Sequence, residues 1–245
     1  MSINVPHKVD GGYSYSEWDV ERLLHDSIAG DAKAIGIDDL ITGDTGQWCI
    51  NIRGTNGSGK TTLARKFVET DTKTKVFLVN GLRKTAFTFC PRHNVVLIGG
   101  YREGMCGGCD TLVKEQIVKL MQLAWMSSAN IIFEGVLVSD SKEPYYHLMK
   151  VFSDQIAQRI WGFAYLETSI DECLNRIYTR NGGKDFKAEL VAQKYKNSIR
   201  YRKWHEAQGD CVVIRLNGEK PTWDVFMGLL TGIDQAKQGI KHILV

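Results

Sequence analysis

A glycine-rich segment, GTNGSGKT, carries the most specific chemical pattern in the sequence and fits G-x-x-x-x-G-K-[ST] at every position. Glycines at these spacings let successive backbone N–H groups point into one anion-binding hollow, and the next helix adds the positive end of its dipole. Lys60 is placed to reach the β- and γ-phosphates, and the Thr61 hydroxyl to bind Mg²⁺. The pattern predicts an ATP and Mg²⁺ site that uses Gly54, Asn56, Gly57, Ser58, Gly59, Lys60, Thr61 and Thr62.

An acidic residue ends the apolar run Ile131-Ile132-Phe133-Glu134. A carboxylate at the end of a buried strand beside residues 54–61, the phosphate loop, can orient the water shell of Mg²⁺ or polarise an attacking hydroxyl. We therefore expect Glu134 to act in catalysis and, with Thr61, at the metal. The string IIFEG alone also fits a plain charged residue at a strand end.

Transfer of a phosphoryl group also needs a carboxylate within hydrogen-bond reach of the attacking hydroxyl. Asp110 is the preferred candidate because it follows a predicted strand and a glycine-rich loop, GMCGGCD. The same residue could instead cap the helix that follows it, so both roles stay open. Glu134 and Glu103 are the reserves.

Two cysteines in that loop, Cys106 and Cys109, form a C-x-x-C pattern. Alone it suggests half a zinc site or a redox pair, and Cys90 with His93 could supply further ligands. A second ligand pair at zinc-like spacing is absent. The glycines between the cysteines fit a tight loop on the acceptor side better.

Two arginines follow the strand that ends at Glu167. Arg176 and Arg180 lie four residues apart and hence on one face of the predicted helix, where either could neutralise charge on the transferring phosphoryl group. This arrangement resembles the lid region of nucleoside and nucleotide kinases. The other reading is a solvated helix face.

Strands alternate with helices along most of the chain, which predicts a largely parallel sheet covered on both faces. We expect a phosphate-loop α/β fold, a three-layer sandwich of the nucleotide-kinase type with a basic helical lid. Residues 1–47 form an N-terminal extension, with a helix capped by Ser16, and residues 48–245 form the kinase domain. Predicted strands are 48–53, 75–79, 85–90, 94–101, 130–134, 162–167 and 211–216; predicted helices are 60–69, 112–127, 171–180, 188–208 and two that open at 143–144 and 221.

The composition is that of an ordinary globular protein: 245 residues, 43% hydrophobic and 24% charged. No apolar run approaches the roughly 18 residues of a membrane span. The N-terminus does not read as a secretory signal, and six cysteines are too sparse for a disulfide framework. We expect a protein of the cytoplasm, in the host cell if phage-encoded, with no membrane contact and an oligomeric state that the sequence leaves open.

One segment is strongly basic although the formal net charge of the chain is only +3. Residues 176–204 hold nine Lys or Arg against two acidic residues, a formal charge of +7. The aromatic residues among them are Tyr178, Phe186, Tyr195, Tyr201 and Trp204. Cations with stacking rings suit nucleic acid, although kinase lids and long surface helices are also basic.

The string from Gly100-Tyr101 to GGCDT at 107–111, between GTNGSGKTT and IIFEG, resembles a group of phage-encoded phosphate-loop kinases that includes the 5-hydroxymethyluracil DNA kinases. The resemblance covers roughly residues 48 to 217, and GGCDT is its specific element. It implies that Lys60 and Thr61 contact ATP and Mg²⁺ and that Asp110 lies in the acceptor site. Residues 1–47 have no counterpart in it.

This resemblance implies a kinase that phosphorylates the hydroxymethyl group of 5-hydroxymethyluracil in DNA, so we expect DNA with that base as the partner. The absence of N-K-x-D and L-S-G-G-Q motifs weakens the GTPase and ABC interpretations. Two alternatives remain: a deoxynucleoside monophosphate kinase that uses free nucleotides, and a nucleotide-dependent ATPase or DNA-binding module.

Overall fold

The computed structural model describes residues 2–9, 12–19, 47–79, 84–101, 107–220 and 222–235. Near the N-terminus, β1 (Ser2–Val9) pairs with β2 (Gly12–Asp19) as an antiparallel hairpin. The expected helix cap at Ser16 is wrong, because Ser16 pairs with Val5 inside this hairpin. Most of the predicted helix that follows lies outside the described residues.

Seven strands form the central sheet, in the order β4-β5-β6-β7-β3-β8-β9. Their bounds are β3 Trp48–Arg53, β4 Lys75–Val79, β5 Lys84–Cys90, β6 Val95–Ile98, β7 Asn130–Glu134, β8 Ile160–Glu167 and β9 Val212–Asn217. Only β5 pairs antiparallel, with β4 on one side and β6 on the other, while the remaining pairs are parallel. The predicted α/β class and mostly parallel sheet are confirmed.

The helices cover both faces of this sheet. Their bounds are α1 Lys60–Glu69, α2 Lys114–Met126, α3 Val136–Ser139, α4 Pro144–Gln155, α5 Ile170–Arg180, α6 Ala188–Gln208 and α7 Trp223–Gln235. The predicted helix 188–208 is confirmed, whereas α2 begins two residues later than predicted and α3 was not expected. Within the described residues, no helix is long and apolar enough to cross a membrane.

Alternation along β3 divides the core into two clusters. Ile50 and Ile52 face α1 and α7, where they join Phe67 and Phe226 in one buried cluster. Cys49 faces the opposite side and joins a cluster with residues of α2, α4 and β8. Because β3 is buried over its whole length, it reads as a central parallel strand.

The carboxyl ends of β3, β7 and β8 meet at one edge of the sheet because these strands run parallel. The phosphate loop follows β3, Gly135 follows β7, and Thr168 follows β8. In open α/β sheets ligands bind outside this edge. Three loops with candidate functional residues are thus brought together by the topology alone.

Candidate active site

The phosphate loop turns tightly between β3 and α1. Gly57 has φ +79°, and a Cβ on it would lie 2.5 Å from the backbone oxygen of Cys173, so only glycine fits between the loop and α5. Thr168 donates a hydrogen bond from its buried hydroxyl to the backbone oxygen of Ser58 at 3.0 Å. The loop is therefore held in place by the elements that follow β8.

Lys60 is the first residue of α1 and is 5% exposed. Its ammonium donates hydrogen bonds to the backbone oxygens of Gly54 and Thr55, both at 2.9 Å. Burial lowers the pKa of Lys60, and the charges of Glu134 and Asp110 oppose that shift. Lys60, the cation of the phosphate loop, therefore lies close to the carboxylates of Glu134 and Asp110. This is the arrangement expected of a lysine that binds phosphate.

Glu134 ends β7 directly beside the loop. Thr61 donates a hydrogen bond from Oγ1 to Glu134 Oε1 at 3.1 Å, while Oε2 is buried and has no hydrogen-bond partner among the described residues. Burial raises the pKa of this carboxyl to about 7, and nearby Lys60 opposes the rise. A hydroxyl and a buried carboxylate with a free oxygen form a donor set that fits Mg²⁺, which prefers hard oxygen ligands.

The GGCDT segment packs against both of these groups. Gly108 has φ +64° and ψ −144°, and a Cβ there would lie 2.5 Å from Glu134 Oε1. A Cβ on Gly107 would lie 2.8 Å from the methyl carbon of Thr61. The two glycines are therefore explained by close contact with the pair Thr61 and Glu134.

Asp110 lies at the end of this segment and caps a helix, although not the one expected. Its two carboxylate oxygens accept hydrogen bonds from the backbone N–H groups of Val136 (2.9 Å) and Leu137 (3.1 Å), at the start of α3. The prediction that Asp110 caps the helix after it is wrong, because α2 begins at Lys114 with Val113 at the N-cap. Asp110 is exposed and lines the same cleft as Glu134.

Arg176 on α5 ties the loop to the end of β9. It forms an ion pair with Glu172 at 2.6 Å and donates hydrogen bonds to the backbone oxygens of Gly218 (3.0 Å) and Gly57 (3.4 Å). Arg180, one turn further on, is exposed and lines the same cleft. The structure thus brings both predicted arginines to the rim of the phosphate loop.

All of these groups face one cleft of about 900 Å³. It is lined by residues 56–62 together with Asp110, Glu134, Arg176, Arg180 and Trp223. That volume lies in the upper part of the roughly 300–1,000 Å³ typical of small-molecule sites. The cleft is therefore large enough for a nucleoside triphosphate.

Cysteine chemistry finds no support in the described part of the chain. The described cysteines, Cys49, Cys90, Cys109, Cys173 and Cys211, are all free and buried. Burial raises the pKa of the Cys109 thiol well above its usual range. Among the described residues no group of three or more His, Cys, Asp or Glu could hold a metal ion. Cys106 and Glu103 lie outside the described residues.

The basic helix α6 runs beside the phosphate loop, because Thr55 donates a hydrogen bond from Oγ1 to the backbone oxygen of Val191 at 3.2 Å. Two of its residues do not have the expected role. Arg202 is 12% exposed and forms ion pairs with Glu167 at 3.0 Å and Glu206 at 2.9 Å, so it is not a free cation. Trp204 packs edge-to-face on Tyr146 at 5.1 Å. Lys196, Arg200 and Lys203 remain exposed.

Sequence reasoning missed two parts of this site. The short helix α3 was missed because four residues are too few for a periodic pattern. The turn at Gly218 that receives Arg176 was also missed, although the dipeptide Asn217-Gly218 after a strand is a turn signal.

Comparison with known proteins assigns the family. A family model described as "5-hmdU DNA kinase" matches residues 44–219. The chain is 29% identical over 151 residues to "5-hmdU DNA kinase 1" of Salmonella phage ViI. This alignment covers 59% of this chain and 64% of that protein. It is 32% identical over 172 residues to the "5-hmdU DNA kinase" of Pseudomonas phage M6. That alignment covers 66% of this chain and 88% of the phage M6 protein.

Solved structures are more distant. A deoxyadenosine kinase from M. mycoides matches with a TM-score of 0.39 and 18% identity, covering 75% of this chain and 98% of that chain. A similarity this low adds nothing to the assignment. The family model, by contrast, spans the phosphate loop, the GGCDT segment, Glu134 and both arginines. The resemblance seen in the sequence is confirmed, and the chain belongs to the 5-hmdU DNA kinase family.

Proposed function

We propose that this kinase transfers the γ-phosphoryl group of ATP to the hydroxymethyl oxygen of 5-hydroxymethyluracil in DNA. Membership in the family supports the acceptor. The observation that carries the proposal is the contact between Thr61 and Glu134, which joins the phosphate loop to a buried carboxylate in one cleft with Lys60. Phosphoryl transfer requires mainly such positioning and charge stabilisation.

Binding of the nucleotide follows from the loop. Backbone N–H groups of residues 56–62 surround the phosphates, and Lys60 turns its donors from the backbone oxygens of Gly54 and Thr55 to the β- and γ-phosphates. Thr61 and Glu134 would hold Mg²⁺, and the ion would supply positive charge for the same phosphates. Arg180 faces the cleft and forms no hydrogen bond or ion pair with a described residue, whereas Arg176 is held by Glu172 and Gly218.

Glu134 is the better supported proton acceptor for the attacking hydroxyl. Its Oε2 is buried and unpartnered among the described residues, and Glu134 lines the cleft. Asp110, the first choice from sequence, already accepts one backbone N–H group on each carboxylate oxygen. We infer that Asp110 positions α3 and the GGCDT segment around Glu134, and that Glu134 acts on the hydroxyl.

A transfer assay with γ-labelled ATP tests this function. The acceptors are an oligonucleotide with one 5-hydroxymethyluracil, the same oligonucleotide with thymine, and free 5-hydroxymethyl-deoxyuridine monophosphate. We expect label only on the modified oligonucleotide. Label on the mononucleotide instead indicates a nucleotide kinase, and free phosphate alone indicates an ATPase.

The matched control is Lys60→Ala, which removes the cation at the β- and γ-phosphates. We expect transfer to fall at least about 100-fold, as for the loss of one preorganised electrostatic contact. If Lys60→Ala keeps more than about a tenth of the wild-type rate, the phosphate loop has no part in the reaction.

A further inference from the structure

A second cavity lies between α6 and the end of β8, beside the nucleotide cleft. It measures about 270 Å³, and Leu166 lines both spaces. From α6 its wall takes Tyr195, Ser198 and Arg202, and from the phosphate loop it takes Thr55. The cleft described above accounts for none of these α6 residues. The cavity is therefore a separate space that shares a wall with the site of phosphoryl transfer.

The chemistry of its wall suits an uncharged ring. Tyr195, Leu166 and Ile199 offer aromatic and aliphatic surface, while Ser198 and Thr55 offer hydroxyl groups. Apolar surface with a few polar groups is typical of small-molecule sites, and a tyrosine face stacks on any nucleobase. A volume slightly below the roughly 300 Å³ lower limit of such sites fits one base rather than a whole nucleotide cofactor.

The charges at this wall are already paired. Glu167 accepts hydrogen bonds from Arg215 at 3.0 and 3.1 Å, and it forms an ion pair with Arg202 at 3.0 Å. Arg202 also pairs with Glu206 at 2.9 Å. Since two carboxylates compensate two guanidinium groups, the cavity is not a site for a phosphate group.

Cations for phosphates lie on the outer face of the same helix. Lys196, Arg200 and Lys203 are exposed there. Nearer the nucleotide cleft, the charge of Lys194 helps to lower the pKa of Lys60, so α6 brings positive charge close to the phosphate loop. The phosphates of a DNA strand that follows α6 would thus contact the cations on its exposed face. A base of the same strand could enter the cavity on its inner face.

A buried cation behind the cavity is a second, independent feature. Arg53 pairs in register with Tyr165, which lines the cavity, and its side chain is fully buried. Its Nη1 and Nη2 atoms have no hydrogen-bond partner among the described residues. Since no carboxylate among the described residues pairs with this guanidinium, it creates a positive potential beside Tyr165, which favours a base that turns an electron-rich carbonyl edge toward it.

We propose that this cavity binds one unstacked base of the DNA, at a nucleotide that flanks the acceptor. The inference rests on the proposed function, since it assumes a DNA acceptor. Leu166 separates the cavity from the cleft in which transfer takes place, so the bound base is a neighbour of the reacting base. Tyr195 stacks on the base, and the Ser198 hydroxyl contacts its polar edge. Thr55 Oγ1, which already donates to Val191, can accept a hydrogen bond from the same edge.

Binding measured by fluorescence anisotropy tests the proposal. Oligonucleotides of about 15 residues carry one central 5-hydroxymethyluracil and one abasic residue, placed in turn at each of the three positions on either side. They are measured in whichever form, single- or double-stranded, binds the wild type more tightly. We expect an abasic residue at one flanking position to weaken wild-type binding about 5- to 160-fold, the range for loss of one stacked base.

Two variants link that position to the cavity. Ser198→Trp fills the space, so it should bind the intact oligonucleotide as weakly as the wild type binds the abasic one, and show no position dependence. Tyr195→Ala should lose most of the same effect by removing the stacking ring, while Tyr195→Phe keeps it. Unchanged melting temperature and ATP affinity show that a variant is folded.

Lys196→Ala is the matched control on the outer face of α6. It should weaken binding of all oligonucleotides by the same factor and preserve the position dependence, because a phosphate contact does not read a base. A flat wild-type profile, or a position dependence that Ser198→Trp keeps, would overturn the proposal.

The same oligonucleotides are assayed for transfer of label, which separates the two proposals. Transfer with a flat binding profile contradicts the base pocket and leaves the proposed function intact. A position-dependent profile without any transfer contradicts the proposed function and supports a base-binding cavity on α6.

Discussion

The phosphate loop has two neighbours that are built in different ways. On the β7 side, which we define as Glu134 and residues 107–111, glycine backbone lies directly against the carboxylate and Thr61. On the α6 side, defined as α6 and the end of β8, contact is made through side chains such as Arg202 to Glu167. The β7 side leaves no room for a methyl group at Gly108, whereas the α6 side encloses about 270 Å³.

From this difference we infer that one side takes part in phosphoryl transfer and that the other side recognises the DNA. Backbone packed on a carboxylate fixes its position closely, and a displacement of about 1 Å can cost 100-fold in rate. Side chains that bridge a gap leave space that a ligand can fill. We therefore propose that the β7 side serves phosphoryl transfer and that the α6 side contacts DNA, and four changes test this division.

The largest expected effect belongs to Glu134→Gln on the β7 side. The amide keeps the size of the side chain but cannot take the proton of the hydroxyl, so kcat should fall about 100-fold or more while KM for DNA stays constant. Asp110→Asn is the paired control. Because an amide accepts at one atom only, one N–H group of α3 loses its partner, and stability should fall by about 1 kcal/mol with a smaller loss of kcat. The reverse order of kcat losses would restore Asp110 as the base.

Gly108→Ala should have the second largest effect. The new methyl group would overlap Glu134 Oε1 and the backbone oxygen of Glu134, which lie 2.5 and 2.6 Å away, so thermal unfolding should show a loss of about 3 kcal/mol or more. Gly182→Ala is the matched control, since φ is +65° but no atom lies within 4 Å. Its cost should be about 1–2 kcal/mol with full activity. Equal costs at the two positions would mean that the β7 side is not tightly packed.

Replacement of Lys196, Arg200 and Lys203 together by Ala tests the α6 side. We expect KM for a DNA acceptor to rise several-fold, while kcat and KM for ATP stay constant. The plot of log affinity against log salt concentration should become less steep, with a slope less negative by about 3. Such contacts position the DNA without taking part in chemistry. If ATP use suffers instead and acceptor length has no effect, α6 acts as a lid over the nucleotide.

The fourth prediction concerns pH and His205 on the α6 side. His205 Nε2 donates to the backbone oxygen of Lys142 at 3.1 Å, and Nδ1 lies 2.8 Å from the Tyr165 hydroxyl, which donates to it when the ring is neutral. Burial lowers the pKa of His205 to about 2, and the charge of Arg53 adds to this. Since only the unfolded chain takes up this proton below about pH 6.5, the free energy of unfolding should fall as pH decreases from 6.5, by at most about 1.4 kcal/mol per unit.

His205→Gln should remove that part of the slope in melting experiments between about pH 4.5 and 6.5. The control is His147→Gln, because His147 is only partly buried and its pKa is lowered less strongly. An unchanged slope in His205→Gln would mean that the native ring is protonated and that the link between α6 and Tyr165 is not as described.

Local patterns predicted most of the sheet and helices because their periodicity is long and regular. The strand Trp48–Arg53 and the helix 188–208 were expected with the bounds that the structure has. The prediction failed at Ser16, where a good capping residue lies in a strand, since pairing with Val5 depends on contacts that a capping rule does not see.

The sequence predicted those residues of the candidate site that belong to one short motif. Lys60 and Thr61 are adjacent in sequence, and the structure places them at the cleft. The role of Asp110 was not predictable, because the amides that it caps belong to residues 26 and 27 positions further along the chain. The pairing of Arg202 with Glu167 is equally non-local, so composition alone counted Arg202 among the free cations.

Two buried cysteines report how often each side of the phosphate loop opens. A thiol reacts as the thiolate, and burial raises the pKa of both Cys109, on the β7 side, and Cys211, whose thiol contacts the backbone oxygen of His205 on α6. Alkylation at either position must therefore wait for a local opening of the native protein. The rates of labelling at Cys109 and Cys211, read by mass spectrometry, compare how often each wall of the phosphate loop comes apart, without any substitution in the chain.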